Sequence, residues 1–270
     1  MTDFLSEIIE QKRAEVVLAK QEFSYAKLEA AVSSNAINIR SLKERAAHRV
    51  LSGQPFIISE FKRSSPSAGA INQAAEIEAI ISAYQSGGAS AISVLTESMK
   101  FSGSLKDLQR ARSTVDLPLL RKDFLIDPYQ VLEARYYGAD LILLISEALT
   151  SNELQQMIAL AHSIGLEVLL EFHEVSELPK VLDQSADFIG VNCRNLRTLQ
   201  VDWTHLLKVA PLLPADCLKV AESGIKTVEQ IKQLFLAGYN GFLIGEYLMR
   251  QMDPERACRD LLLEFEHKNL

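Results

Sequence analysis

Eight short apolar runs, each followed by a longer amphipathic stretch, set the tightest limit on what this chain can fold into. They are PFIISEFK (55–62), SAISVLTE (90–97), PLLRKDF (118–124), DLILLIS (140–146), LEVLLEFH (166–173), ADFIGVN (186–192), CLKVAESG (217–224) and NGFLIGE (240–246). Near-continuous apolarity is the pattern of a strand buried on both faces, and helical spacers between strands imply parallel pairing. Gly87-Gly88-Ala89, Gly138-Ala139, Ile164-Gly165 and Ala237-Gly238 fall just before strands, where helix C-termini need a permissive backbone. Residues 1 to about 50 are of another kind. There Phe4, Ile8, Ile9, Val16 and Val17 recur at spacings compatible with one helical face.

Eight β/α units can form an open doubly wound sheet or a closed barrel. The open sheet usually places a glycine-rich nucleotide turn after its first strand. Here the first run is followed by KRSSPSAGA, which is not that turn. The regular alternation favours the α/β class as a (β/α)₈ TIM barrel with a helical N-terminal extension. The 270 residues are close to the roughly 250 typical of that barrel. No Pro/Gly/Ser-rich linker interrupts them, so 1–270 is expected to be one domain, with 1–50 as the extension.

Hydrophobic residues make up 48% of the chain, ample for a large core. The formal charge of −7 and pI near 5.4 argue against general affinity for nucleic acid or an anionic membrane. An anionic ligand must therefore be drawn by local basic groups or backbone amides. Cys193, Cys217 and Cys258 are sparse, lack metal-ligand spacing and suit a reducing compartment. The charged amphipathic start has no apolar core of a secretory signal, and no run approaches the roughly twenty apolar residues of a membrane span. A cytoplasmic location is expected.

In such a barrel, chemistry sits at the C-terminal ends of the strands. Glu60 and Lys62, two apart at the end of the first run, share one face. Lys122 ends the third run, Glu171 the fifth, Asn192 the sixth and Glu222 the seventh. For any one of these alone, a strand-end polar group facing water is the simpler account. Six at equivalent positions, two lysines and three glutamates among them, make a candidate active site, because half-buried Lys and Glu are costly unless paired. Glu222-Ser223-Gly224 after the seventh run and Gly245-Glu246 after the eighth, just before the short helical YLMRQM, read as a phosphate site. Barrels commonly bind phosphate with these two loops and a helix N-terminus. Ser64, Ser65 and Ser67 offer further hydroxyl donors. His162, His173 and His205 lack ligand spacing, Trp203 reads as packing, and Cys193 has no evident base to make it a nucleophile. No metal site is expected.

The stretch ISEFKRSSPSAGAI (58–71) resembles the first-strand signature of the indole-3-glycerol-phosphate synthase family. The likeness continues in FSGSLKDL (101–108), PLLRKDF (118–124), LLEFHEVSEL (169–178), IGVNCRNLRTL (189–199), VAESGI (220–225) and GFLIGEYLM (241–249). It covers nearly the whole chain, including the helical extension that this family places before its barrel. The resemblance implies ring closure of 1-(2-carboxyphenylamino)-1-deoxyribulose 5-phosphate, with loss of carbon dioxide and water, and needs no cofactor. It implies that Lys122 is the general acid on the substrate carbonyl. Lys62 would pair with the anthranilate carboxylate and share in proton transfer. Glu171 would act as acid or base in dehydration, and Glu60 would orient the lysines. Asn192 and Glu222, with Arg194 nearby, would hold substrate hydroxyls or the ring-nitrogen region. Ser65, Ser223, Gly224, Gly245 and Glu246 would bind phosphate, and Phe124 and Leu143 would line the aromatic pocket. Burial beside another ammonium would lower the pKa of Lys122 while nearby glutamates push the other way, and the sequence leaves that balance open.

Two departures from the family pattern stand out: Cys193 where a second Asn is common, and Ala68 where a loop Lys is common. Members of the family are often fused to phosphoribosylanthranilate isomerase; this sequence ends soon after its eighth unit, and a monofunctional chain is expected. Its partner would be a phosphorylated small molecule, without nucleic acid or membrane, and the chain a monomer or weak homo-oligomer. Two rivals share the same features. One is a phosphate-binding-barrel isomerase of an aminodeoxy-sugar phosphate; the other is a non-catalytic barrel scaffold.

Overall fold

Asp3 opens the first helix by accepting the Ser6 N–H at 2.9 Å, which satisfies an amide that the helix itself leaves free. The computed structural model describes residues 3–34 and 38–266. Of the expected 1–50 extension, residues 1–2 and 35–37 lie outside the described residues. The rest forms α1 (Phe4–Glu22), α2 (Tyr25–Ser34) and α3 (Leu42–Leu51).

Eight parallel strands then close on themselves: β1 (Phe56–Phe61), β2 (Ala91–Leu95), β3 (Leu119–Lys122), β4 (Leu141–Ile145), β5 (Glu167–Phe172), β6 (Phe188–Asn192), β7 (Leu218–Glu222) and β8 (Gly241–Ile244). Each pairs with the next, and β8 returns to β1 through Phe56↔Gly241 to Ser59↔Ile244. Between and after them run α4 (Ile77–Ser86), α5 (Leu105–Thr114), α6 (Pro128–Tyr136), α7 (Ser151–Ser163), α8 (Leu178–Leu182), α9 (Thr204–Val209), α10 (Val228–Leu236), α11 (Glu246–Met249) and α12 (Pro254–Glu266). Every apolar run read from the sequence contains one of the eight strands. Gly88, Gly138, Gly165 and Gly238 take left-handed φ between 81° and 103° where a helix gives way to a strand. A small antiparallel hairpin, Ser64–Ser65 with Gly69–Ala70, shapes the first loop and was not expected.

Strand side chains alternate, so each strand feeds two layers. Ile57, Val94, Ile142, Leu170 and Phe242 join the shell between barrel and helices. Phe56, Ile58, Leu120, Leu141, Leu143, Leu169, Phe188, Val220 and Leu243 fill the barrel interior. Continuing the interior stripes by two residues gives Lys122 after Leu120, Glu171 after Leu169, Glu222 after Val220 and Glu60 after Ile58. The packed apolar floor thus ends in a layer of charge at the C-terminal rim.

The extension is divided between the two ends. α3 sits at the N-terminal end: Leu42 and Ala46 join the interior cluster, and Glu167, first residue of β5, accepts from the Leu42 N–H at 3.0 Å. α1 lies across the C-terminal mouth, tied by Asp3–Arg197 at 3.0 Å and Glu7–Lys100 at 2.8 Å to the loops after β6 and β2. One expectation for α1 needs correction. Val17 is 56% exposed, and the buried residues are Leu5, Ile8, Lys12 and Val16. The 3.6-residue period carries position 17 past the contact face, and a lysine occupies the stripe instead.

Candidate active site

The charged layer at the rim is a connected network. Lys122 Nζ lies 2.9 Å from Glu171 Oε2 and 3.6 Å from Glu222 Oε2. Asn192 Nδ2 donates to the other Glu171 oxygen at 2.9 Å, and Asn192 Oδ1 accepts the Arg194 N–H at 2.9 Å. On the far side Lys62 is ion-paired with Glu60. The side chains of Glu171 and Glu222 are each 1% exposed, that of Lys122 14%.

Two glycines make room for this crowding. A Cβ on Gly190 would meet Glu222 Oε1 at 2.3 Å, and one on Gly245 would meet Glu60 Oε1 at 2.3 Å. Both carboxylates therefore stand where a neighbouring strand or loop withholds a side chain. The register sets them level with their partners: Glu171 pairs with Gly190, and Asn192 with Glu222.

Protonation follows from this packing. Burial pushes Lys122 down, but the charges of Glu171, Glu222 and Glu60 outweigh it and hold its ammonium above the ordinary lysine range. The balance left open by the sequence falls on the carboxylate side. Burial pushes Glu171 up, yet Lys122 and the donor groups around it bring it below the usual glutamate value. Glu222 goes the other way: burial and the Glu171 charge push it well up. Neither Glu222 oxygen accepts a hydrogen bond, and Lys122 stands 3.6 Å away, beyond hydrogen-bond contact, so a proton on Glu222, donated toward Glu171, is favoured. The rim therefore sets an ammonium between two carboxyl groups whose proton affinities are driven apart, that of Glu171 down and that of Glu222 up.

A cavity of about 440 Å³ opens over this layer. Lys62, Lys122, Glu60, Glu171, Asn192 and Glu222 form its polar floor, with Phe124 and Leu143 on one wall. Ser65, Arg194, Ser223, Gly224, Gly245 and Glu246 lie along the remainder. Every residue to which the resemblance gives a role thus borders one space. Ser67 borders it too, but Ser64 turns away to Ser102, 2.9 Å between hydroxyl oxygens.

The second half of the mouth is shaped by backbone. Ser223 and Gly224 adopt consecutive left-handed φ of 69° and 67°, turning the chain sharply off β7. For a serine this conformation is strained, and such strain concentrates at functional sites. Across from it Gly245 leads into α11, whose first amides have no intrahelical acceptors.

Several lining residues escaped the sequence reading. Phe4 of α1 and Phe101 after β2 flank Phe124, ring centroids 6.4 and 6.3 Å away, and complete an aromatic wall. Lys226 and Arg250 add cations near the Ser223–Glu246 side. Lys226, two residues beyond the ESG turn, carried a usable signal; Phe4, far away in sequence, did not. Cys193 is fully buried and its thiol is pushed up to about 12 by burial, which removes it as a nucleophile. Trp203 packs against the outer core.

Against this geometry stand three comparisons. A family model described as indole-3-glycerol phosphate synthase matches residues 5–261. An indole-3-glycerol phosphate synthase of Bacteroides thetaiotaomicron is 45% identical over 262 residues, covering 97% of this chain and 98% of that protein. One from Carboxydothermus hydrogenoformans is 40% identical over 263 residues, 96% and 99% of the two chains. Among solved structures, the crystal structure of KGPDC from Streptococcus mutans superposes with a TM-score of 0.60 at 17% identity, over 79% of this chain and 98% of that one. At that identity the likeness speaks for the barrel alone.

Proposed function

Because the chain belongs to the indole-3-glycerol phosphate synthase family, we propose that its rim cluster performs the family reaction with the following division of labour. That reaction is the decarboxylating, dehydrating ring closure of 1-(2-carboxyphenylamino)-1-deoxyribulose 5-phosphate to indole-3-glycerol phosphate in tryptophan biosynthesis. The isomerase and scaffold readings give way to it.

Lys122 donates the proton. As the aromatic carbon attacks the substrate carbonyl, the new C–C bond forms and the carbonyl oxygen takes that proton. The ring carboxylate then leaves as carbon dioxide, returning its electron pair to the ring. Loss of the hydroxyl as water needs one proton supplied to oxygen and one removed from carbon. Glu171, ionised and held by Lys122 and Asn192, is placed to accept, and Lys62 to supply. Before departure the substrate carboxylate pairs with Lys62, which Glu60 orients. Asn192 and Glu222 hold hydroxyls or the ring-nitrogen region, with Arg194 beside them. Protonated Glu222 adds a donor that an ionised one would lack.

The phosphate would sit with Ser65, Ser223, Gly224, Gly245 and the backbone N–H of Glu246, opposite the apolar wall of Phe124 and Leu143. Holding the flexible substrate at both ends lowers the entropic part of the barrier. We read residues 1–270 as one domain acting in the cytoplasm, as a monomer or weak homo-oligomer without nucleic-acid or membrane partners. The net charge of −7 supports this, and no helix among the described residues is long and apolar enough to cross a membrane.

The observation that carries the assignment is Lys122 at 2.9 Å from Glu171 on the floor of the cavity. Purified protein incubated with the carboxyphenylamino-deoxyribulose phosphate should develop indole fluorescence. Absence of signal at micromolar enzyme would count against the whole scheme.

A further inference from the structure

α1 carries a charge in the middle of its buried stripe. Ile8, Lys12 and Val16 follow one another at intervals of four, stacked on a single helical face. Lys12 is 4% exposed, and an ammonium so placed is costly unless paired. Its Nζ lies 2.7 Å from Glu15 Oε2 and 3.0 Å from Asp123 Oδ1. These acceptors differ in kind. The Glu15 side chain is 38% exposed and belongs to the same helix, whereas that of Asp123 is 1% exposed and follows Lys122 directly.

Asp123 gathers several elements at one point. Its Oδ2 accepts from Thr96 Oγ1 at 2.6 Å and lies 3.3 Å from Arg121 Nη2. Its Oδ1 accepts the Phe124 N–H at 2.8 Å as well as facing Lys12. Arg121 in turn pairs with Glu133 at 2.8 Å and donates to the Gln130 carbonyl at 2.9 Å. Residues 121 and 123 thus anchor both sides of Lys122, whose own side chain points the other way, into the barrel mouth. Lys12 is one of two cations meeting the Asp123 carboxylate, and it brings the N-terminal extension to an anchor otherwise built by residues of the β/α units. It does not line the cavity itself.

We infer that Lys12 is a positioning residue for the reaction: its ion pair with Asp123 locks the end of β3 and thereby sets the approach of the Lys122 ammonium to the substrate. The N-terminal helix then takes part in turnover as well as covering the mouth. Burial pushes Lys12 down, but the Asp123 and Glu15 charges hold it above the ordinary lysine range, and despite its own burial Asp123 is brought below the usual carboxylate value by Lys12 and Arg121, so burial does not neutralise the pair. The inference rests on Lys122 being the proton donor.

The test compares Lys12→Met, Lys12→Arg and Lys20→Met. Lys20 makes the neighbouring α1 contact, 2.7 Å to Asp127, but is 38% exposed, and neither it nor Asp127 lines the cavity. Lys12→Met is expected to lower kcat by about tenfold to a hundredfold, since small misplacements of a reacting group cost that much. Its KM should stay within about threefold, marking a loss felt after binding. Lys12→Arg should recover most of kcat, and Lys20→Met should keep it. A Lys12→Met enzyme with a lowered Tm but full kcat per folded molecule would make Lys12 a brace and overturn the inference. Equal losses in Lys12→Met and Lys20→Met would overturn it too, since helix docking alone would then be responsible. Should Lys12→Met fail to fold, Lys12→Gln, which can still donate to Asp123, must show an intermediate kcat; an unchanged one is equally fatal. Full activity in Lys122→Ala would remove the premise, whereas an inactive Lys122→Ala beside a fully active Lys12→Met removes this inference alone.

Discussion

The two sides of the cavity are made of different material. Around β3, β5 and β7 the surface is buried side-chain charge, with Lys122 2.9 Å from Glu171 and 3.6 Å from Glu222 at the strand ends. Around the loops after β7 and β8 it is backbone, with the left-handed Ser223–Gly224 turn and Gly245 ahead of α11. Moving protons requires groups whose proton affinity is set by their surroundings, and packed strands set surroundings closely. Holding an anion requires many N–H groups at one place, which side chains would obstruct. One side should therefore govern turnover and the other retention of substrate.

Lys122→Ala gives the hardest test of that division. Turnover should fall by about 10²–10⁴-fold, the usual contribution of a positioned acid. Circular dichroism should show the barrel retained, with some loss of stability because Glu171 is left without its cation. A variant with unchanged kcat would put the chemistry elsewhere.

Next comes Glu171→Gln, expected to cost about 10²-fold in kcat and to alter the pH profile in a defined sense. Lys122 acts only when protonated, and in the intact site its folded pKa lies above the ordinary 10.5. Its ion-pair stabilisation is thus complete below that value and is lost as pH rises through the higher folded one. Removing the leading carboxylate leaves burial less opposed and lowers the pKa. The basic limb of kcat/KM should therefore move to lower pH, and a limb that stays put would show that Glu171 does not hold the proton on Lys122.

The backbone side makes the smallest prediction. Millimolar inorganic phosphate should raise Tm by about 2 °C, because a ligand of the folded state alone stabilises it by mass action. Gly245→Ala should abolish the response, since the new Cβ would stand 2.9 Å from Glu60 Cβ. Equal shifts in the parent and the variant would place the anion elsewhere.

The sequence disclosed the side-chain half well because charge stands out against apolar strands: Lys122 after Leu-Leu-Arg and Glu171 after Val-Leu-Leu break their runs visibly. It disclosed the cradle less directly, through glycines that also serve ordinary turns. The direction of the Lys122 shift stayed open because it depends on three carboxylates from β1, β5 and β7, and their distances exist only once the barrel closes. Lys12 does not stand out in the sequence because a lysine on an amphipathic helix normally faces water. Its position between Ile8 and Val16 was the signal, and only the buried Asp123 opposite gives it meaning.

The path of α1 across the mouth bears on how the chain assembles. Its contacts reach far ahead: Glu7 to Lys100 spans 93 positions, Lys20 to Asp127 spans 107, and Asp3 to Arg197 spans 194. During synthesis α1 must wait until the loop after β6 has been made before the partner of Asp3 exists. Such long-range closure slows folding, and meanwhile an apolar stripe with a lysine at its centre stays more soluble than an unbroken one.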